Sequence, residues 1–191
     1  MQTAIKQAND LTNQFLIAMP QLKDPNFFQS VTYVCEHSTA GALGITINRP
    51  LELNLHQMLE EIDVEVRADD LFQQYVYMGG PVHTNRGFVL HTECGQWESS
   101  LKISDRICLT TSRDILEAIG RGEGPAQVLV ALGYAGWGEG QLEHEILHNS
   151  WLTTEADYSI VFDTPYTERW PQAAAKLGVD LNALSMDAGH A

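Results

Sequence analysis

The chain is poor in cysteine and has no long apolar run. Its three cysteines form no C-x-x-C pair and their number is odd, which argues against a disulfide framework. We therefore expect reduced thiols, with Cys35 and Cys108 acting as small core residues. No apolar stretch approaches the roughly 20 residues that span a bilayer, and the first residues lack the apolar segment of a secretory signal. These absences predict a cytoplasmic protein without a membrane anchor.

Basic residues are also scarce. The 191 residues include 11 Lys and Arg against 25 Asp and Glu, which gives a formal net charge of −14. From residue 122 onward the only basic side chains are those of Arg169 and Lys176. Nucleic-acid binders carry a basic footprint because contacts with phosphate supply much of their affinity. Anionic membranes impose the same requirement. Direct binding to nucleic acid or to a membrane surface is therefore not expected.

The motifs of several enzyme classes are missing. The chain has no G-x-S-x-G nucleophile elbow, no P-loop and no G-x-G-x-x-G dinucleotide fingerprint. Gly133, Gly136, Gly138 and Gly140 follow a predicted strand at a place where an anion could bind. However, Glu139 in the same turn would repel phosphate, so close packing of the backbone explains these glycines better. We predict no cofactor.

Short apolar and β-branched segments alternate with turns along most of the chain, and a hydrophobic content of 44% is enough for one core. Strands are predicted at residues 15–19, 31–36, 41–47, 75–78, 87–91, 101–103, 107–109, 127–134 and 159–162, with 127–134 as the central buried strand. Helices are predicted at residues 55–62, 113–119, 138–148 and 173–177. Helices inserted singly among many strands favour an α+β fold. We assign residues 1–10 to a flexible N-terminal segment and residues 11–191 to a single domain.

The helix predicted at residues 138–148 contains His144-Glu145-Ile146-Leu147-His148, a literal H-E-x-x-H pattern. In zinc hydrolases the two histidines bind one metal ion from one helix face, and the glutamate activates a metal-bound water. Glu168 follows His148 by 20 positions, which suits a third ligand. The extended H-x-x-G-x-x-H continuation is absent, and a chance match in a chain of this composition has a probability of about 2%. A zinc-dependent hydrolase is therefore an alternative hypothesis.

Several motifs occur in a fixed order, and together they resemble the AlgH/YqgE family of bacterial proteins. The resemblance runs from about Leu11 to the C-terminus, and the segments that carry it are Phe15–Pro20, Cys35–His37, Gly41–Pro50, Gly79–Val82, Arg86–His91, Thr111–Leu116, Gly133–Trp137 and Gly140–Glu143. It implies one cytosolic α+β domain, in which a mixed and mostly antiparallel sheet curls toward a barrel with helices packed outside. In the family pattern His144 and His148 fill positions that are not fixed as histidine, which weakens the zinc hypothesis.

The same resemblance says little about activity. Members of the family are mostly uncharacterised, and some carry the label of transcriptional regulator with a link to alginate production. The resemblance supplies no catalytic residues. Direct action on DNA as a third hypothesis conflicts with the net charge of −14 and with the lack of a recognisable helix-turn-helix.

The leading hypothesis is a non-enzymatic regulatory domain that binds a small ligand or a protein partner, neither of which the sequence identifies. Polar residues beside glycine turns suit a ligand site, and they equally suit hydrogen bonds that hold turns together. The candidate binding surface gathers the polar residues of the matching segments: Glu36, His37, Asn48, Arg49, Arg86, His91, Gln141 and Glu143.

Overall fold

The computed structural model describes residues 10–95, 97–181 and 183–184. In these residues ten strands form one sheet that curls into a half-barrel, and five helices accompany it. The α+β fold and the curled, mostly antiparallel sheet are therefore confirmed. Most of the N-terminal segment that the sequence predicts to be flexible, residues 1–9, lies outside the described residues. No helix within the described residues is long and apolar enough to cross a membrane.

The strands are β1 (Gln14–Ala18), β2 (Val31–Ser38), β3 (Gly41–Thr46), β4 (Pro50–Asn54), β5 (Tyr75–Met78), β6 (Val82–His91), β7 (Ser100–Lys102), β8 (Cys108–Thr110), β9 (Val128–Gly138) and β10 (Trp151–Glu155). The helices are α1 (Leu55–Glu61), α2 (Arg113–Arg121), α3 (Gln141–Leu147), α4 (Tyr158–Phe162) and α5 (Tyr166–Ala175). A short 3₁₀ helix spans Asp69–Gln73.

Strand β9 lies at the centre of the sheet. The main order is β10-β1-β2-β3-β9-β6-β8-β7, and the β4–β5 pair joins it where β5 runs parallel to β9. The other pairs of strands are antiparallel. A near-continuous apolar run is typical of a strand covered on both faces, and the central position predicted for residues 127–134 is confirmed.

Three apolar clusters hold the sheet and the helices together. The largest includes Phe15, Tyr33 and Ile45 from the sheet, together with Val161 and Ala173 from α4 and α5. A second cluster packs α1 and α2 against β5 and β9, and a third surrounds the indoles of Trp137 and Trp151 beneath α3. Each helix buries one apolar face against the sheet, which is how an α+β domain removes apolar surface from water.

The structure differs from the sequence prediction at several elements. Residues 159–162 were predicted as a strand but belong to α4, because the Asp157 carboxylate accepts the main-chain N–H of Ser159 and caps a helix there. Strand β9 continues to Gly138, so α3 starts three residues later than predicted. Strands β4 and β10 and the 3₁₀ helix were not predicted.

The expectation of reduced thiols throughout is also corrected. Cys94 and Cys108 form a disulfide, with their Cα atoms 5.6 Å apart. The register between β6 and β8 places Cys108 opposite His91, so the loop that follows β6 brings Cys94 back to it. Sequence spacing alone does not show this approach, because the two residues meet through strand pairing. Cys35 is free and buried, as expected for a small core residue.

Candidate functional site

Two β-bulges form the sides of a surface groove on the sheet. Between β2 and β3 the register shifts so that Val34 lies opposite Gly44 and Glu36 lies opposite Leu43. Between β6 and β9 the register moves from Val82 opposite Tyr134 to Gly87 opposite Leu132. Residues 83–86 are therefore the extra residues of a bulge on β6. Bulges of this kind redirect side chains out of the regular alternation of a strand.

The groove consists of two depressions of about 440 and 430 Å³ that share Glu36, Leu43 and Tyr134 in their walls. We call it the outer groove. The first depression also includes Ser38, Ala40–Ala42, Val82, Gly136 and Trp137, and the second includes His83, Arg86, Phe88, Ser99–Leu101, Leu109 and Thr111. Most of these residues belong to the segments that carry the family resemblance.

Glu36 and Arg86 place opposite charges in the outer groove. Both side chains are exposed. Within the described residues the Glu36 carboxylate makes no hydrogen bond or ion pair. Arg86 has no acidic partner there either; its Nη2 lies 3.4 Å from the Thr111 hydroxyl, and its Cζ lies 5.6 Å from the centre of the Phe88 ring. These two residues of the predicted surface therefore lie in one groove, with their charges available to a bound molecule.

His83 and Tyr134 are groove residues that the sequence did not single out. The Tyr134 ring packs against His83 at 5.9 Å and against Phe88 at 5.4 Å between ring centres. His83 has a φ of 48°, a left-handed conformation that is uncommon for a residue with a side chain and is enriched at functional sites. Tyr134 lies within a matching segment, so its motif was the available signal. His83 had none, because a bulge cannot be read from residue type.

Three of the other predicted surface residues make structural hydrogen bonds around α3. His37 Nε2 lies 2.7 Å from Glu143 Oε1, and the Gln141 side-chain oxygen accepts the main-chain N–H of Gly138 at 3.0 Å. These contacts join the β2–β3 hairpin and the end of β9 to the start of α3. The Glu143 main-chain N–H, with a further contribution from His37, lowers the pKa of the Glu143 carboxyl below its ordinary value.

Asn48 and Arg49 hold a loop rather than lining the outer groove. The Asn48 side chain accepts the Val31 N–H at 2.9 Å and donates to the Gln29 carbonyl at 2.9 Å. The Arg49 guanidinium donates to the carbonyl oxygens of Pro25 and Phe28. Both side chains therefore satisfy main-chain groups in residues 25–31, the turn-stabilising role considered in the sequence analysis.

His91 is fully buried and lies apart from the groove. Its Nδ1 is 2.8 Å from the Thr92 carbonyl oxygen, and its Nε2 is 2.7 Å from the Thr110 hydroxyl. Because a carbonyl oxygen can only accept, Nδ1 carries the proton and Nε2 accepts from Thr110. Burial lowers the pKa of His91 below its ordinary value, partly opposed by the hydrogen bond to Thr92. The residue is therefore neutral near pH 7, and its contacts join β6 to β8.

The H-E-x-x-H pattern has a structural use. Glu145 Oε2 accepts the indole N–H groups of Trp137 at 2.9 Å and Trp151 at 2.8 Å, while Oε1 accepts from Gln141 Nε2 at 3.0 Å. The glutamate that a zinc hydrolase would need as its base is thus held by three donors.

The proposed ligands do not form a cluster either. The imidazoles of His144 and His148 stack with their centres 4.1 Å apart, and His148 Nδ1 is 2.8 Å from the His144 carbonyl oxygen. Glu168 lies on α5, a different helix. Among the described residues, no group of three or more His, Cys, Asp or Glu is arranged to hold a metal ion. The geometry therefore does not favour the zinc alternative.

Comparison with known sequences gives a consistent result. A family model described as AlgH-like (DUF179) matches residues 15–182. A UPF0301 protein of Thioalkalivibrio sulfidiphilus is 59% identical over 184 residues, which is 96% of this chain and 98% of that relative. A UPF0301 protein of Nitrosococcus oceani is 55% identical over 179 residues, which is 94% of this chain and 96% of the relative.

Solved structures show the same fold. The solution structure of the AlgH protein from Pseudomonas aeruginosa aligns with a TM-score of 0.80 and 46% identity, with 100% of both chains covered. A crystal structure of a protein from Corynebacterium diphtheriae aligns with a TM-score of 0.73 over 92% of this chain and 91% of the other, at 19% identity. The second likeness is one of fold alone.

Proposed function

Since this chain belongs to the AlgH-like family, we propose that it is a non-enzymatic regulatory domain that binds a partner protein in the outer groove. The proposal depends on one observation. Glu36 and Arg86 lie in the same groove with opposite charges, and neither has an ionic partner within the described residues. The segments that carry the family resemblance build both sides of this groove, which supports a role shared by relatives. The proposal keeps the cytoplasmic location expected from the sequence; the Cys94–Cys108 disulfide removes reduced thiols as a ground for it, and the lack of a long apolar run remains.

The shape of the groove supports a protein partner over a small ligand. Small-molecule sites bury most of the ligand in a closed cavity, whereas Glu36, His83 and Arg86 are exposed along an open surface. Tyr and Arg are the residue types that most often dominate protein interfaces, and Tyr134 and Arg86 lie here beside apolar Leu43. A polypeptide segment that carries both charges would complement Glu36 and Arg86 together.

Regulation through a partner also agrees with the charge of the chain. At −14 the protein repels nucleic-acid phosphates. A role in transcription then passes through the partner protein rather than through direct contact with DNA. A titration with DNA at physiological salt is expected to show no salt-sensitive binding, and tight salt-sensitive binding would favour the direct regulator instead.

Site-specific photocrosslinking in living cells tests the groove. Benzoylphenylalanine in place of Leu101, a partly exposed groove residue, is expected to give a discrete adduct with one protein. The same probe in place of Leu147, which is 79% exposed on α3 and lies outside the groove, is the matched control and should give none.

Charge reversal then separates specific binding from chance contact. Arg86→Glu and Glu36→Lys should each abolish the Leu101 adduct, while Lys102→Glu, on a neighbouring exposed residue outside the groove walls, should leave it. An adduct that survives both groove reversals, or one that forms equally at Leu147, would show that the groove is not the binding surface.

A further inference from the structure

A second cavity, separate from the outer groove, contains a buried arginine. It has a volume of about 440 Å³. Its walls come from the 3₁₀ helix and β5 on one side, the chain between α2 and β9 on another, and helices α4 and α5 on the third. Arg169 of α5 reaches this cavity and is only 5% exposed. We call it the Arg169 cavity.

Among the described residues, the contacts of Arg169 supply no counterion for its charge. Its Nε donates to the Thr164 carbonyl at 2.9 Å, its Nη1 donates to the Ile47 carbonyl, and its Cζ lies 5.1 Å from the centre of the Tyr77 ring. A guanidinium has five N–H donors, so these two main-chain hydrogen bonds, together with a side-chain hydrogen bond to Tyr77, leave two donors for a ligand. None of the ion pairs within the described residues includes Arg169.

A buried charge without a partner is costly, and burial lowers the pKa of Arg169 below its ordinary value. An arginine nevertheless stays protonated in proteins. The chain has 25 acidic residues for 11 basic ones, so the absence of an Arg169 ion pair within the described residues does not reflect a shortage of acids. The arrangement instead resembles binding sites in which the anion comes from the ligand, because a carboxylate pairs with a guanidinium through two parallel hydrogen bonds.

The other charged residue in the wall of the Arg169 cavity restricts the charge of the anion that can bind. Asp70 also lines the cavity, where it accepts a hydrogen bond from Gln74 Nε2 at 3.2 Å. One guanidinium opposed by one carboxylate, in a protein of net charge −14, does not neutralise a doubly charged phosphate. A singly charged carboxylate suits this balance.

The remaining surface of the cavity fits a flat apolar body. The ring of Tyr75 lines the cavity and meets the Tyr77 and Tyr166 rings edge-on at 6.2 and 5.3 Å. Phe162 and Leu129 add further apolar wall. Gln73 offers its amide to polar substituents, and Gln127 offers its amide oxygen, because its Nε2 donates to Asp163. A volume near 440 Å³ is within the ordinary range for small-molecule sites.

We infer that the Arg169 cavity binds a small organic monocarboxylate with a planar apolar body, its carboxylate on Arg169 and its ring against Tyr75. This inference is independent of the outer groove, since the two sites share no wall residue.

The test uses benzoate, cyclohexanecarboxylate and inorganic phosphate as probes, titrated into the isotope-labelled full chain and followed by amide NMR shifts. Benzoate is expected to give saturable shifts in residues 73–77 and 124–129 and to bind at least threefold tighter than cyclohexanecarboxylate. Phosphate should give no saturable shift. No saturable benzoate shift would overturn the site, tighter binding of phosphate would overturn the monocarboxylate assignment, and equal binding of the two carboxylates would overturn the planar body.

Variants connect the binding to the guanidinium. Arg169→Lys keeps the charge but loses the two-point contact, and it should weaken benzoate binding at least tenfold. Arg67→Lys, in an exposed pair with Glu65, is the matched control and should not change it. Since Arg169→Lys changes a buried residue, Gln73→Trp provides a second variant that leaves the interior intact: Gln73 is exposed at the cavity, and a bulky ring there should block benzoate without touching Arg169. Unchanged binding in both variants would overturn the site.

Discussion

The imidazole of His37 lies 2.7 Å from the carboxylate of Glu143, although 106 residues separate them in the chain. The main-chain N–H of Leu11 donates to His37 Nδ1 at 3.2 Å, so Nε2 carries the proton and donates to Glu143. Two residues predicted for a ligand surface thus join α3 to β2 and to the segment before β1. Their contact gives the first prediction.

Glu143→Gln should reduce the loss of unfolding free energy that accompanies a fall in pH from 6 to 3. The pKa of Glu143 is lowered in the folded state by its own main-chain N–H and by His37. A carboxyl with a lowered pKa stabilises the fold above its unfolded pKa, near 4.3, and loses that contribution as the pH falls through the folded value. Glu143 is 42% exposed, so the effect should stay below about 1 kcal/mol. Urea unfolding from pH 6 to pH 3 measures it, with exposed Glu139→Gln as control; equal slopes in wild type and Glu143→Gln would contradict the assignment.

Glu145→Ala should destabilise the protein, whereas His148→Ala should not. Removal of the Glu145 carboxylate leaves the buried indole N–H groups of Trp137 and Trp151 without their acceptor, at a cost of about 2–4 kcal/mol. His148 is exposed, and its loss should change the free energy of unfolding by less than about 0.5 kcal/mol. Urea unfolding followed by tryptophan fluorescence measures both.

The same pair of variants tests the zinc alternative. Metal content is measured on protein purified without a histidine tag and without added metal. About one zinc ion per chain in wild type, lost in His148→Ala together with a drop in stability, would revive the metal site and contradict the structural role given to Glu145.

Reduction of the Cys94–Cys108 disulfide should lower stability. The two cysteines are 14 positions apart, and a bond that closes a loop of about this length contributes about 3 kcal/mol. The midpoint of urea unfolding should fall when dithiothreitol is added to wild type. Cys94→Ser, at an exposed position, should match reduced wild type and show no further response to reductant. An unchanged midpoint on reduction would show that the bond adds nothing to the fold.

Gly133→Ala should be far more damaging than Gly140→Ala. Both glycines have left-handed backbone, with φ of 76° and 69°, so a side chain costs about 1–2 kcal/mol at either position. At Gly133 an added Cβ would also lie 2.4 Å from the Gly80 carbonyl oxygen, whereas at Gly140 nothing lies within 4 Å. Thermal unfolding should show a modest decrease for Gly140→Ala and loss of the folded state, or a decrease at least twice as large, for Gly133→Ala. Equal effects would indicate that the close approach of β9 to Gly80 relaxes without cost.

Local pattern was enough to predict much of the sheet. The apolar run at residues 127–134 predicted the central strand, and the β-branched and apolar segments at 31–36 and 41–47 predicted β2 and β3, because these signals depend on near neighbours in the chain. Residues 159–162 show where this approach fails. Their β-branched and aromatic side chains favour a strand, but the Asp157 cap and the burial of Ile160 and Val161 make a helix.

The sites depend on long-range contacts that no local pattern shows. Glu36 and Arg86 could be selected from their motifs, but their shared groove arises from two bulges in separate strand pairs. Arg169 lies outside the helix predicted at residues 173–177 and was assigned no role, and its burial follows from the packing of α5 over Ile47, 122 positions earlier. The Cys94–Cys108 bond was missed for the same reason.

The central strand of the sheet, β9, is synthesised after the strands that pair with it. The strands that pair with β9 are β3, β5 and β6, and all three precede it in the chain. Until residue 138 has been synthesised, each of them keeps one edge of main-chain N–H and C=O groups unpaired. Exposed edges of this kind are templates for joining another chain. A nascent chain that stops before β9 therefore has three separate groups of paired strands with open edges, namely β1 to β3, β4 with β5, and β6 to β8. Truncated products of this protein should aggregate rather than persist as a smaller folded unit.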